Sequence, residues 1–502
     1  MRESSFLWIA VLSFRMILFG GAQLFALALP TEGGRMLRVG ILTPVVGLQP
    51  WDAGDLVSFL ATAQIFEPPF RLAGEGEPEP ILFDGPLRRS DAGDGEEYRA
   101  RIRPGVKFSD GTDLRAEHVA KSLQHVELIR AQARIDAEGD EVIFHLDRPN
   151  PRFAVHLTIV HCGVALQREG ELLGTGPFRR SAGCSLDQLV LEPNPFYRGH
   201  LSLPGLEFVV HPVDPDGWPT ALVEAVVNGE VDFTNMLSRT DVAEIQGCKK
   251  NFQPSISTGM LFLNTERPLL RDVELRRAIC HAIDRRALTE ITHSNVIAFT
   301  AATPLPPRFG LTAERLPFDP EAALRSLSSA DQRPTEPLRM LQAWAPRPYL
   351  PHPSQVASAL RDQLAAVGIP VHIDVPADAE EFFGRQKDGD YDLLLGGWIA
   401  DLPDPAEFLT AVLHSQRVPR DVCGGIYGNL ARLVDDDLDQ ALESYQLEDS
   451  DAARDRVLDR AAELAPVVPI MYGATAMIHC WHLRRLEMSP YGVPNFGSAR
   501  IA

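Results

Sequence analysis

Residues 354 to 375 read SQVASALRDQLAAVGIPVHIDV, a helix pattern that runs directly into a strand pattern. Val356, Leu360, Leu364 and Val367 recur three or four residues apart and so share one face of a helix. Ser354 stands where a capping residue belongs, and Gly368 followed by Pro370 stops the helix. IPVHIDV, residues 369 to 375, continues as a strand. Upstream, LRMLQAW (338–344) is another strand, and downstream YDLLLGGW (391–398) follows one more helix. Strands alternating with helices of this length call for an α/β fold, with a parallel sheet covered on both faces.

The same reading extends along the chain. LRVGI (37–41) is a first strand, followed by a proline-broken loop and a helix near residues 55 to 66. Around a Pro-Gly and an Asp-Gly turn, residues 97 to 126 give two short strands and a helix beginning near Arg115. Residues 141 to 146 and 188 to 192 read as strands in a turn-rich region. From residue 221 helices alternate with strands, and residues 272 to 292, DVELRRAICHAIDRRALTEIT, read as a single amphipathic helix. A last helix from about 451 to 464 leads into the strand VVPIMYG.

A chain of 502 residues exceeds one hydrophobic core and divides into two or three lobes. Its 45% hydrophobic and 23% charged composition is that of a globular protein. Net charge is −20, from 68 acids and 48 bases, with no basic run, which argues against nucleic acid and anionic lipid as partners. The N-terminus is apolar from Phe6 to Pro30 apart from Arg15, Gln23 and a few small polar residues, and Ala26-Leu27-Ala28 has the form of a cleavage site. Residues 1 to 30 are therefore a secretory signal or, if uncleaved, a membrane anchor. Six cysteines, at 162, 184, 248, 280, 423 and 480, form no C-x-x-C pair, and their disulfide pairing stays open among fifteen arrangements.

GTGPFR (174–179) resembles a dinucleotide fingerprint but lacks its third glycine and carries Pro177 in the turn, so it reads as a tight loop joining two strands. No P-loop, G-x-S-x-G elbow or H-E-x-x-H helix occurs, and the 14 histidines are dispersed. These absences leave no sign of an enzyme, a metal or a cofactor. The stretch that asks for a function is YDLLLGGWIADLPDPAEFL, residues 391 to 409. A buried strand opens through Gly396 and Gly397 onto Trp398 and Asp401, and ligands of α/β sheets gather beyond the carboxyl ends of strands. An indole offers a flat apolar wall and a carboxylate anchors one positive group, whereas Asp404 before Pro405 reads as a turn and helix cap.

Several separated stretches, in order, resemble the extracellular solute-binding proteins of family 5, the peptide, dipeptide and nickel receptors of ABC importers. They include RPGVKFSDGTDLRAEHVAKSL, GTGPF, LVLEPNPFYRG, ALVEAVVNGEVDF, FLNTERPLLRDVELRRAICHAIDRRAL, LRDQLAAVGIPVHI and DYDLLLGGWIADLPDPAEFL. The resemblance implies a two-lobed periplasmic-binding-protein-like fold of class II with an additional small α+β domain. Lobe I would combine residues 31–70, 190–260 and 480–502, the small domain 71–189, and lobe II 261–479. It further implies a monomer, periplasmic or otherwise extracytoplasmic, that captures a short peptide or other small solute and delivers it to permease subunits. Asp401 would pair with a peptide's α-ammonium and Trp398 would line the pocket. Arg277 stands where the family usually has Gln, and LQPWDA departs near the start, which makes Trp51 a candidate cleft aromatic. A receptor that serves no transporter, sensory or chaperone-like and anchored by residues 6 to 30, is the alternative.

Overall fold

Apolar runs from distant parts of the chain pair into one ten-stranded sheet. In chain order its strands are β1 Leu37–Ile41, β2 Phe178–Arg180, β3 Val190–Pro193, β4 Leu206–Val210 and β5 Phe233–Thr234. They continue with β6 Cys248–Leu263, β7 Leu338–Gln342, β8 Val371–Asp374, β9 Leu393–Ile399 and β10 Val467–Cys480. The spatial order is β2-β3-β4-β1-β5-β10-β6-β9-β7-β8. This computed structural model describes residues 35–501 except 54, 74–75, 91–95, 215–217, 239–240, 244, 294–298, 421–427 and 490–491. The N-terminal apolar segment and Cys423 therefore lie outside the described residues. Among the described residues no helix is long and apolar enough to cross a membrane.

The sheet is mixed rather than parallel. The helix-linked strands do run parallel, β1 beside β4 and β5, and β7 beside β8 and β9. Between these two groups stand β6 and β10, antiparallel to each other, with β9 antiparallel to β6 and β5 antiparallel to β10. With 16 and 14 residues, these two strands form a ribbon roughly 50 Å long if fully extended. Its register slips between Pro254 and Thr258 and again between Gly259 and Met260. Pro254, which cannot donate to a ladder, sits at the first slip.

Four hydrophobic cores lie along this framework. The largest joins buried side chains from residues 256 to 471, including Leu261, Leu341, Leu360, Leu394 and Val468. A second uses residues 70 to 164 and, from far along the chain, Leu402. The third packs Leu37, Val39, Leu60 and Leu206 with Leu483 and Phe496, so the start and end of the described chain share a core. The fourth, smaller one sets Leu222, Val231 and Val242 against Ala476 and Ile478.

Local chemistry explains most element ends. Asp55 accepts hydrogen bonds from the Val57 and Ser58 amides, at 3.0 and 2.9 Å, and starts the helix Leu56–Ile65. The 354–367 helix is observed as Pro353–Ala366, with Pro353 in its first turn, so Ser354 is not its cap. Ser354 instead accepts from Gln342 Nε2 of β7 at 3.1 Å. The single helix read over residues 272 to 292 is two, Val273–Ala282 and Arg285–His293. Ile283 adopts extended backbone, and Asp284 restarts the helix by accepting from the Ala287 amide at 3.1 Å. The GTGPF glycines serve packing: Gly176 N–H donates to Ile65 O at 2.9 Å, and a Cβ on Gly174 would lie 1.9 Å from that oxygen.

Candidate functional site

β9 is flanked in the sheet by β6 and β7, and its carboxyl end carries Trp398 and Ile399 past the largest core. Gly397 there lets another segment approach. A Cβ on Gly397 would stand 2.4 Å from Thr258 O and 2.6 Å from the ring of Tyr349. Gly259 on the adjoining strand plays the same part, since its Cβ would meet Tyr349 O at 2.5 Å. The loop after β7 thus lies directly on the backbones of β6 and β9.

The result is a cleft of about 540 Å³, a volume typical of small-ligand sites, lined among others by Trp344, Arg347, Tyr349, Phe383, Trp398 and Asp401. Its wall is aromatic. Trp344 packs with its ring centre 5.1 Å from those of Phe382 and Phe383, and Phe383 keeps 52% of its surface exposed. The Arg347 guanidinium lies over the Trp344 ring at 3.8 Å, a cation–π arrangement. Trp398 is half-buried beside this wall, and its indole N–H, itself buried, has no acceptor among the described residues.

Asp401 has no ion pair or hydrogen bond to its carboxylate among the described residues. Its side chain reaches solvent, yet the protein rises around it, and this partial desolvation pushes its pKa up to about 6, against the opposing charge of Arg417. Arg417 itself pairs with Glu407 at 3.0 Å. An acid held partly desolvated without a partner stabilises any cation that reaches it.

The loop presenting Asp401 is fixed on both sides. Ala400 N–H donates to Ile256 O at 2.9 Å, and Leu402 is buried in the core of residues 70 to 164. Asp404, expected as a turn and cap, does cap the helix Pro405–Leu413, accepting from the Ala406 amide at 2.8 Å. It also receives Arg152 Nη1 at 3.2 Å and His156 Nε2 at 2.8 Å, all three side chains being almost wholly buried. Arg152 reaches on to Asp449 and lies 4.8 Å from the Tyr445 ring. Burial alone would raise the Asp404 pKa, but the His156 bond, the charges of His156 and Arg152 and the cap amide overcome it and leave it lowered.

Of the residues singled out by sequence, Trp398 and Asp401 meet in the cleft. Trp51 stands apart from its lining: it packs on the second core with its ring stacked on His125, centres 4.5 Å apart. Tyr349, Trp344 and Arg347 also line the cleft, and the signal for them is the run AWAPRPYLP after β7, with two aromatics and three prolines. Arg152 and His156 had no local signal at all.

A pocket with an aromatic wall, one unpaired acid and one base stacked on an indole defines a small-molecule binding protein. Residues 77–419 match the bacterial extracellular solute-binding proteins of family 5, and the chain belongs to that family. It is 25% identical over 493 residues to the probable di/tripeptide-binding protein 5 of Pseudomonas aeruginosa, covering 86% of this chain and 88% of that one. The fold is that of HbpA2 from Haemophilus parasuis, with a TM-score of 0.80 at 19% identity, over 93% of this chain and all of the other. It is likewise that of a dipeptide-binding protein from Pseudoalteromonas in complex with Met-Leu, with a TM-score of 0.73 at 19% identity, over 93% and 100%. The α/β binding-protein fold expected from the sequence is thereby established.

Proposed function

We propose that this protein captures short peptides in the cleft of Trp398 and Asp401 and delivers them to the permease of an ABC importer. The observation that carries this reading is the pairing of opposite unpartnered charges in one aromatic cleft. Asp401 and Arg347 both lack an ionic partner among the described residues, and both line the same 540 Å³ space. A peptide is a zwitterion, with an α-ammonium for Asp401 and a carboxylate for Arg347, and its apolar side chains suit Trp344, Phe383 and Trp398. The similarity to a probable di/tripeptide-binding protein and to a dipeptide-binding protein supports the same ligand class.

We read the largest core as lobe II, the third and fourth cores as lobe I and the second core as the small domain, with Phe178 and Leu189 of the expected 71–189 domain packing in the third core and Ala476 and Ile478 of the expected 261–479 lobe in the fourth. Closure around the ligand would exclude water and strengthen the Asp401 contact. The family's extracellular membership supports export by residues 1 to 30, and so a periplasmic site of action. No catalytic step is needed for this work.

Native mass spectrometry of protein purified without refolding tests the reading, with Asp401→Asn beside the wild type. The expected result is a set of short-peptide masses on the wild type, depleted on Asp401→Asn. A single non-peptide mass, or peptides held equally by the variant, overturns it.

A further inference from the structure

Cys248 opens β6 and Cys480 closes β10, and the two are directly opposed across the antiparallel ribbon. Antiparallel pairs alternate between two kinds, and the kind here follows from a hydrogen bond on the far side. Cys480 N–H donates to Asp232 O at 2.9 Å, next to β5, so its main-chain groups point away from β6. Cys248 and Cys480 are therefore a non-hydrogen-bonded pair, the closer of the two kinds, with Cα atoms about 4.5 Å apart and side chains on the same face. Disulfides span Cα separations of roughly 4.4–6.8 Å, so this pair is within bridging distance without backbone movement.

The other described cysteines lack such a partner. Cys162 is fully buried in the second core, and burial drives its thiol pKa far upward. Cys280 is fully buried in the largest core, its thiol pushed up to about 11. Cys184 lies against the third core and directs its sulfur to Val190 O at 3.5 Å. Cys248 and Cys480 are, like Cys184, only partly buried, Cys248 against the fourth core and Cys480 against the third, so a small reagent reaches them.

We propose that Cys248 and Cys480 are a thiol–disulfide site that closes into a cross-strand disulfide on exchange with a disulfide oxidant. The Cys248 thiolate attacks one sulfur of the oxidant, forming a mixed disulfide and displacing one thiolate. The Cys480 thiolate then attacks the Cys248 sulfur, forming the cross-strand bond and expelling the second thiolate. Two protein thiols are oxidised to one disulfide, and the oxidant's disulfide is reduced to two thiols that take up the two released protons. The bond clamps the end of the ribbon remote from the Tyr349 contact on Gly397. It also encloses the whole core of residues 256 to 471 in a covalent ring.

Peptide mapping of the folded, purified protein after equilibration with oxidised glutathione tests this without reference to ligand or compartment. The expected product is one cross-linked peptide joining Cys248 to Cys480, lighter than its separate thiol peptides by two hydrogens and absent after dithiothreitol. Cys248→Ser and Cys480→Ser are each expected to stop at a glutathione adduct on the remaining cysteine. The oxidised wild type is further expected to unfold at a higher urea midpoint than the reduced protein. Recovery of both residues as alkylatable thiols, or a link from either to Cys423 or another cysteine, overturns the proposal.

Discussion

Replacing Asp404 separates two roles that the structure gives one carboxylate. Asp404→Ala removes the cap of Pro405–Leu413 and leaves Arg152 and His156, whose side chains keep only 7% and 4% exposure, facing a void. Breaking a buried charge pair costs roughly 3–5 kcal/mol and losing a cap about 1 kcal/mol. Arg152 retains Asp449 and the Tyr445 ring, which places the expected total near the lower end, about 4 kcal/mol. Asp404→Asn keeps shape and capping ability and loses only the charge, for about 2 kcal/mol. Urea unfolding followed by circular dichroism is the assay, read as a midpoint shift at constant slope. Unfolding free energies of both variants within about 0.5 kcal/mol of wild type would refute the claim that this buried cluster holds the Asp401 loop in place.

Peptide affinity should fall in acid. Partial burial holds the Asp401 pKa up at about 6, a bound ammonium favours the ionised form, and so binding is strong above that value and weakens below it. At about pH 5 affinity should be roughly tenfold lower than at about pH 7, with proton release on binding near about pH 6, and titration calorimetry showing neither would contradict this role for Asp401. Gly397→Ala would set a methyl 2.6 Å from the Tyr349 ring, displacing it at a cost of about 1–3 kcal/mol and weakening peptide binding, and an unchanged urea midpoint and affinity would show that this contact is dispensable.

Elements with local signals were legible in the sequence. The strand LRVGI, the helix ended by Asn228-Gly229, and the strands and helices from 338 to 399 depend on periodicity and on punctuating Gly, Pro and Asp, and appear where read. The break at Ile283 was hidden because apolar residues keep helical spacing across it. β6 was missed as a long strand because its first half, CKKNFQP, is polar and ends at a proline; its pairing with β10 is what makes it a strand. Asp401 and Trp398 were readable because strand, glycines and loop adjoin in sequence. The contact of Asp404 with Arg152 and His156 joins positions about 250 residues apart, and only the tertiary fold brings them together.

The third core sets an order on synthesis. Leu37, Leu60 and Ile65 near the beginning of the described chain pack with Leu483, Phe496 and Ala499 near its end. Gln64 reinforces this junction by donating from Nε2 to Pro494 O at 2.9 Å and accepting from the Phe496 amide at 3.2 Å. Until the last residues emerge, the first helix therefore has no finished surface to rest on, and β1 belongs to an incomplete core. Such widely separated contacts slow folding. The third core of a growing chain is therefore the one that waits for residues 483 to 499, whereas the second core needs nothing beyond Leu402.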